Sequence, residues 1–151
     1  MRISIINGPN LNLLGSREPH LYGNLHFDDY LSYLTKKYPQ CNLTYFQSNI
    51  EGEIINEIHR CDSSCDAIII NAGAYTHTSL AIADALKAIH VSQVIEVHIS
   101  NVFAREEIRK KSFIAPVTMG NISGLGLKVY ELAIISILLD STEPHKIMNP
   151  S

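Results

Sequence analysis

Apolar positions along this chain switch repeatedly between alternating and helical spacing. Runs rich in β-branched residues at Arg2–Asn7, Asn42–Gln47 and Ala67–Asn71 predict strands, and residues 94–99 and 116–119 continue the series. Between them the spacing predicts helices over 27–38, 51–60 and 78–89, a short one over 105–111 and a last one over about 125–139. Phe27, Tyr30, Leu31 and Leu34 share one face of the first helix, which Pro39 ends, and Ile54, Ile55 and Ile58 point inward from the second. Four consecutive apolar residues at 67–70 mark a strand covered on both faces. Five βα units imply a parallel sheet with right-handed crossovers between two helical layers. The expected fold is therefore an α/β three-layer sandwich, flavodoxin-like, with a five-stranded parallel sheet of order 2-1-3-4-5.

That order reverses between strands 1 and 3, and ligands in such sheets bind beyond the carboxyl ends of the strands at the reversal. The loops there are residues 8–25, 72–77 and 100–104. Connections in α/β units usually take ~2–6 residues, and much longer ones tend to be lids or binding loops. The first loop is that long, and it carries Asn10, Arg17 and Tyr22 among turn-forming glycines and prolines.

Composition narrows the function classes. The 151 residues fit one domain over 1–140 and a loose tail over 141–151, which holds two prolines and little apolar content. With 46% hydrophobic and 18% charged residues the chain reads as an ordinary soluble protein. A net charge of −3 without a basic stripe speaks against nucleic acid, Lys36-Lys37 and Lys110-Lys111 being solvated helix ends. No run approaches the ~20 apolar residues of a membrane span, and Met1–Ile6 begins a strand and is too short for a signal peptide. Cys41, Cys61 and Cys65 follow no metal spacing and read as reduced thiols of a cytoplasmic protein.

Candidate chemistry collects in the same loops. Alternation puts Glu96 and His98 on one face of strand 4 and Ile95, Val97 and Ile99 on the other. An acid and an imidazole in a central strand suit a carboxylate that orients a proton donor; the alternative is a satisfied buried pair. Asn71 can donate to and accept from a polyhydroxylated ligand, or simply form a turn. His77 and Asp84 lie seven apart, two helical turns, and Asp84 on an apolar face needs a partner, such as one across a subunit contact. Arg17 beside Tyr22 favours the phenolate, a base strong enough for a weakly acidic C–H; the alternative is a surface Arg stacked on a Tyr. Arg105 or Arg109 could anchor ligand oxygens, with Glu106 and Glu107 pairing with Lys110 and Lys111.

Several cofactors can be set aside. Gly120, Gly124 and Gly126 match neither a P-loop nor a dinucleotide fingerprint. His77 and His98 lack a third soft ligand for a metal, and no lysine ends a strand for a Schiff base. Two competing readings remain open. One is a Ser/His hydrolase using Thr78 or Ser79 with His77 and Asp84, without a nucleophile elbow; the other is a flavodoxin-like small-ligand binding module.

Residues 8–15 (Gly-Pro-Asn-Leu-Asn-Leu-Leu-Gly), Arg17-Glu-Pro, Tyr22-Gly, Phe46-Gln-Ser-Asn and Glu51-Gly-Glu resemble the type II 3-dehydroquinate dehydratases. So do Ile70-Asn-Ala-Gly, Thr76-His-Thr-Ser, Ile95-Glu-Val-His-Ile-Ser-Asn and Ala104-Arg-Glu-Glu, and the likeness runs from about residue 2 to 139. One departure is Val129, where the family pattern has a glycine before Tyr130; it bears on the packing of the last helix rather than on the site. The resemblance implies dehydration of 3-dehydroquinate to 3-dehydroshikimate, in the shikimate route to aromatic compounds or in quinate breakdown. It implies Tyr22 as the base, Arg17 as the group that lowers its pKa, and Asn10 holding a water against the enolate oxygen. It implies His98 as the acid with Glu96 behind it. Asn71, His77, Arg109 and the backbone at Ile99 and Ser100 would hold the ring hydroxyls and carboxylate, with Asp84 reaching a neighbouring subunit's site. It further implies trimers assembled into a homododecamer, with no metal or cofactor.

Overall fold

The computed structural model describes residues 1–16 and 24–142. Arg17 and Tyr22 lie outside the described residues, as do residues 143–151 of the expected tail. Five parallel strands form one sheet in the order β2-β1-β3-β4-β5: β1 Arg2–Asn7, β2 Asn42–Gln47, β3 Ala67–Asn71, β4 Gln93–His98 and β5 Gly120–Ser123. Among the described residues four helices flank it: α1 Phe27–Lys37, α2 Glu51–Ser64, α3 Leu80–Ala88 and α4 Lys128–Thr142. The flavodoxin-like topology is as expected.

The strand alternation sorts two cores onto the two faces. Ile3, Ile5, Ile69, Ile95 and Val97 pack with Phe27, Leu34, Tyr130 and Ile134 beneath α1 and α4. Ile6, Ile68, Ile70 and Val94 pack with Ile54, Ile58, Ile82 and Leu86 beneath α2 and α3. Every side chain of β3 is buried, as a strand covered on both faces requires. Val129 sits in the first core, fully buried, so the side chain that departs from the family pattern fills space among the helices.

Several boundaries differ from the sequence expectation, each for a local reason. Helix α2 continues to Ser64 because Cys61 extends the inward stripe of Ile54 and Ile58, and Arg60 bonds Glu57 and Ser64 along its outer face. The expected helix over 78–89 is the shorter α3, preceded by a 3₁₀ turn, Gly73–His77, and its N-cap Ser79 accepts from the Ile82 N–H at 2.9 Å. His77 therefore belongs to the turn and not to the helix carrying Asp84, and the two share no stripe. The expected helix over 105–111 is a 3₁₀ turn at Glu107–Lys110. The expected fifth strand at 116–119 is another such turn, and β5 begins at Gly120, where a polar sequence hides an edge strand from a hydropathy pattern. Helix α4 starts at Lys128, after Gly124 and Gly126 have turned the chain at φ 89° and 66°. It reaches Thr142, past the expected domain end.

Gly8 closes the top of the sheet. Its N–H donates to the Asn71 carbonyl at 2.7 Å, and a Cβ there would lie 2.4 Å from the Ala72 carbonyl oxygen. Only glycine lets the ends of β1 and β3 come this close.

Candidate active site

The carboxyl ends of β1, β3 and β4 open into a pocket lined by Asn10, Asn71, His77, His98, Ser100, Arg105 and Arg109, with Pro9, Leu11, Leu14 and Val102 as its apolar wall. It lies at the reversal of strand order, where the topology predicts a ligand.

At its base stands the pair from β4. Glu96 is fully buried and His98 nearly so, and the imidazole Nε2–H donates to Glu96 Oε1 at 2.8 Å. Three further donors reach the carboxylate. Thr76 Oγ1 donates at 2.6 Å, Asn121 Nδ2 at 2.7 Å, and the Ser112 hydroxyl lies 2.9 and 3.1 Å from the two oxygens. Burial pushes the carboxyl up, but the bonds from His98, Thr76 and Asn121 outweigh it and hold Glu96 below the ordinary carboxylate range. The bond to Oε1 occupies Nε2 and leaves Nδ1 as the remaining polar atom of the ring. A buried carboxylate thus fixes the orientation of the His98 ring.

A single stretch of chain serves both histidines. Lys111 O accepts from His77 Nδ1 at 2.7 Å, Ser112 bonds Glu96, and the Phe113 N–H donates to Thr76 O at 2.9 Å. A carbonyl can only accept, so His77 carries its proton on Nδ1 and leaves Nε2 as an acceptor when neutral. Burial pushes the His77 pKa down against the pull of the Lys111 carbonyl, and the charges of His98 and Arg109 push the same way. The rings of His77 and His98 are stacked, with centroids 6.2 Å apart. The residues holding Glu96 were not foreseen: Thr76 appeared only within a motif, and Ser112 and Asn121 carry no pattern that marks them.

On the opposite face of the sheet a neutral network ends in Asn71. Its Nδ2 donates to Tyr130 OH at 3.1 Å, and its Oδ1 accepts from the Gly73 N–H at 3.2 Å. Tyr130 OH in turn donates to Asn7 Oδ1 at 2.8 Å. The turn-forming role of Asn71 is thus real, and one amide N–H remains for other partners. Asn10 lines the pocket from a left-handed conformation, φ 68°, pinned by its N–H to Asn49 Oδ1 at 2.9 Å. Ile99 is held by its carbonyl, which accepts from the Gly126 N–H. Arg105 reaches Ser100 Oγ at 3.3 Å and Arg109 pairs with Glu106 at 2.8 Å, so two cations face the pocket and suit an anionic ligand. The expected surface pairs are rearranged: Glu107 holds Lys110, whereas Lys111 lies over the Phe113 ring.

Asp84 is exposed on α3 and is not part of the pocket lining. Ser79 is a poor nucleophile for the hydrolase reading, because it is buried with its hydroxyl accepting the Ile82 N–H, and His77 is turned to Lys111. All three cysteines are free and buried, and burial pushes the Cys61 thiol up to about 12. Among the described residues no cluster of His, Cys, Asp or Glu could hold a metal, and no helix is long and apolar enough to cross a membrane.

Comparison with known proteins agrees with this geometry. The family described as dehydroquinase class II matches residues 1–138. A 3-dehydroquinate dehydratase of Caldicellulosiruptor saccharolyticus is 53% identical over 139 residues, covering 90% of this chain and 95% of that protein. The crystal structure of the type II dehydroquinase from Butyrivibrio crossotus superposes with a TM-score of 0.88 at 45% identity, over 91% of this chain and 97% of that one. The type II dehydroquinase from Propionibacterium acnes gives 0.86 at 39% identity, over 92% and 97%.

Proposed function

The chain belongs to the class II dehydroquinase family, and from that premise we propose that it dehydrates 3-dehydroquinate to 3-dehydroshikimate by elimination through an enolate. The observation that carries the reading is the buried Glu96–His98 pair at the base of a pocket flanked by two arginines. A carbon acid beside a ketone needs a strong base and a stabilised enolate, and departure of hydroxide needs an acid elsewhere on the ring.

In this reading Tyr22 is the base and Arg17 favours its phenolate. Asn10 holds a water against the enolate oxygen. His98, oriented by Glu96, protonates the leaving hydroxyl. Asn71, His77, Arg109 and the backbone at Ile99 and Ser100 hold the ring hydroxyls and the carboxylate. The chemistry runs on these groups alone, within a single catalytic domain over residues 1–140. Asp84, exposed on α3, serves the site of a neighbouring copy in a trimer-based homododecamer.

The test is direct. Adding 3-dehydroquinate should produce the ultraviolet absorbance of a conjugated enone carboxylate, and Tyr22→Phe should lose most of the turnover while keeping affinity for a product analogue. Borohydride with substrate should leave the enzyme active; inactivation would mean an imine and would sink the proposed route.

A further inference from the structure

Tyr130 lies outside the pocket lining, yet its hydroxyl is the keystone of the network that ends there. It is fully buried beneath the sheet, and burial keeps its phenol protonated. Its one proton goes to Asn7 Oδ1 at 2.8 Å, so it can only accept from Asn71, whose Nδ2 lies at 3.1 Å. The direction of each bond is forced. Asn7 spends an Nδ2 proton on Tyr45 OH at 3.4 Å, which leaves its carbonyl oxygen toward Tyr130. Asn71 must then present nitrogen to Tyr130 and oxygen to the Gly73 N–H at 3.2 Å. A flipped Asn71 amide would set two donors against each other at Gly73 and leave its own oxygen facing the lone pairs of the Tyr130 hydroxyl. Asn7 and Asn71 are register partners at the ends of β1 and β3, so the network spans the floor of the pocket at the reversal of strand order.

We infer that Tyr130 is a positioning residue for ligand binding: by bridging Asn7 and Asn71 it holds the Asn71 amide in one orientation and reserves its second N–H for an oxygen of the bound ligand. The ligand chemistry this fits is a hydroxyl or carbonyl oxygen on a polar carbocycle, an acceptor rather than a donor. The inference rests on the reading of Asn71 as a ligand residue given above. It concerns affinity and not the proton transfers, because no atom of Tyr130 lies among the groups that face the pocket.

The experiment compares Tyr130→Phe with Asn71→Leu in steady-state kinetics on 3-dehydroquinate. Removing the Tyr130 hydroxyl leaves the amide held only by the Gly73 N–H, so KM should rise about tenfold while kcat stays within about threefold, the loss of one well-placed hydrogen bond. Asn71→Leu should raise KM at least as far. A Tyr130→Phe protein that melts earlier but keeps the wild-type KM, beside an Asn71→Leu protein with a raised one, overturns the inference and leaves the Asn71 reading standing. An unchanged KM in Asn71→Leu overturns that reading itself. Should Tyr130→Phe fail to fold, proton NMR of the wild-type protein decides. A slowly exchanging Tyr130 hydroxyl proton with a cross-peak to the Asn71 amide is expected, and a rapidly exchanging one overturns the inference.

Discussion

The two faces of the sheet support the same pocket with opposite kinds of polar network. Beneath α2 and α3, Glu96 gathers donors from His98, Thr76, Ser112 and Asn121 around one charge. Beneath α1 and α4, Asn7, Tyr130 and Asn71 pass neutral hydrogen bonds from one to the next with no charge at all. A buried carboxylate is costly unless it is fully satisfied, and here four side chains satisfy it. A chain of neutral amides and a phenol sets only direction. The difference is one of kind: the charged side gathers donors around a fixed anion, and the neutral side fixes the direction of each hydrogen bond.

The sharpest way to break this comparison is to neutralise the charged side without changing its shape. Glu96→Gln puts an NH₂ group among four donors and removes the anion that orients His98. General acid catalysis contributes ~10²–10⁴-fold, so kcat should fall by at least about a hundredfold, with KM changing far less. Turnover within a few-fold of wild type would show that Glu96 only fills space.

The same charge should mark the protein's response to acid. The folded pKa of Glu96 lies below its ordinary value, so the unfolded chain takes up that proton first. The stability it contributes is complete above the usual carboxylate range, ~4.3, and is lost as pH falls through the lower folded value. His77 adds an earlier loss. Its folded pKa is also depressed, so stability should begin to decline as pH falls below ~6.5. Melting curves from pH 8 to 3 should therefore fall in two stages. His77→Asn should flatten the first stage and Glu96→Gln should lessen the second, which Asp66 and Glu131 share, and a variant that changes neither would refute the assignment.

The legibility of the two networks from sequence follows the same division. Glu96 and His98 were visible because charged residues break an apolar strand in a way that demands a reason. The strand order and the loops bearing Asn10, Asn71, His77 and Arg109 were visible because β-branched runs and helical spacing alternate cleanly. The partners were not. Ser112 and Asn121 reach Glu96 across 16 and 25 residues of chain, and no periodicity encodes that distance. Tyr130 reads as one more apolar residue of a helix, and its hydroxyl gains meaning only once β1, β3 and α4 are packed. The fifth strand was misplaced for a related reason: Gly-Asn-Ile-Ser at 120–123 is held by pairing with β4 and carries no apolar signature of its own.

The smallest effect should come from the far end of the neutral chain. Tyr45 is half-buried on β2, and its hydroxyl accepts from Asn7 Nδ2 at 3.4 Å, a long bond whose loss leaves one N–H of Asn7 unpaired. Its ring stays stacked on Phe27, with centroids 4.7 Å apart, so the packing contribution survives in Tyr45→Phe. That variant should lose no more than about 1 kcal/mol in chemical denaturation and keep both kcat and KM, because the Asn7 oxygen still holds Tyr130. A raised KM in Tyr45→Phe would mean that the neutral network transmits orientation along its whole length. The Asn7–Tyr130 bond would then be too weak to fix Asn71 by itself, and the contrast between a local charged cluster and a directional neutral relay would become sharper still.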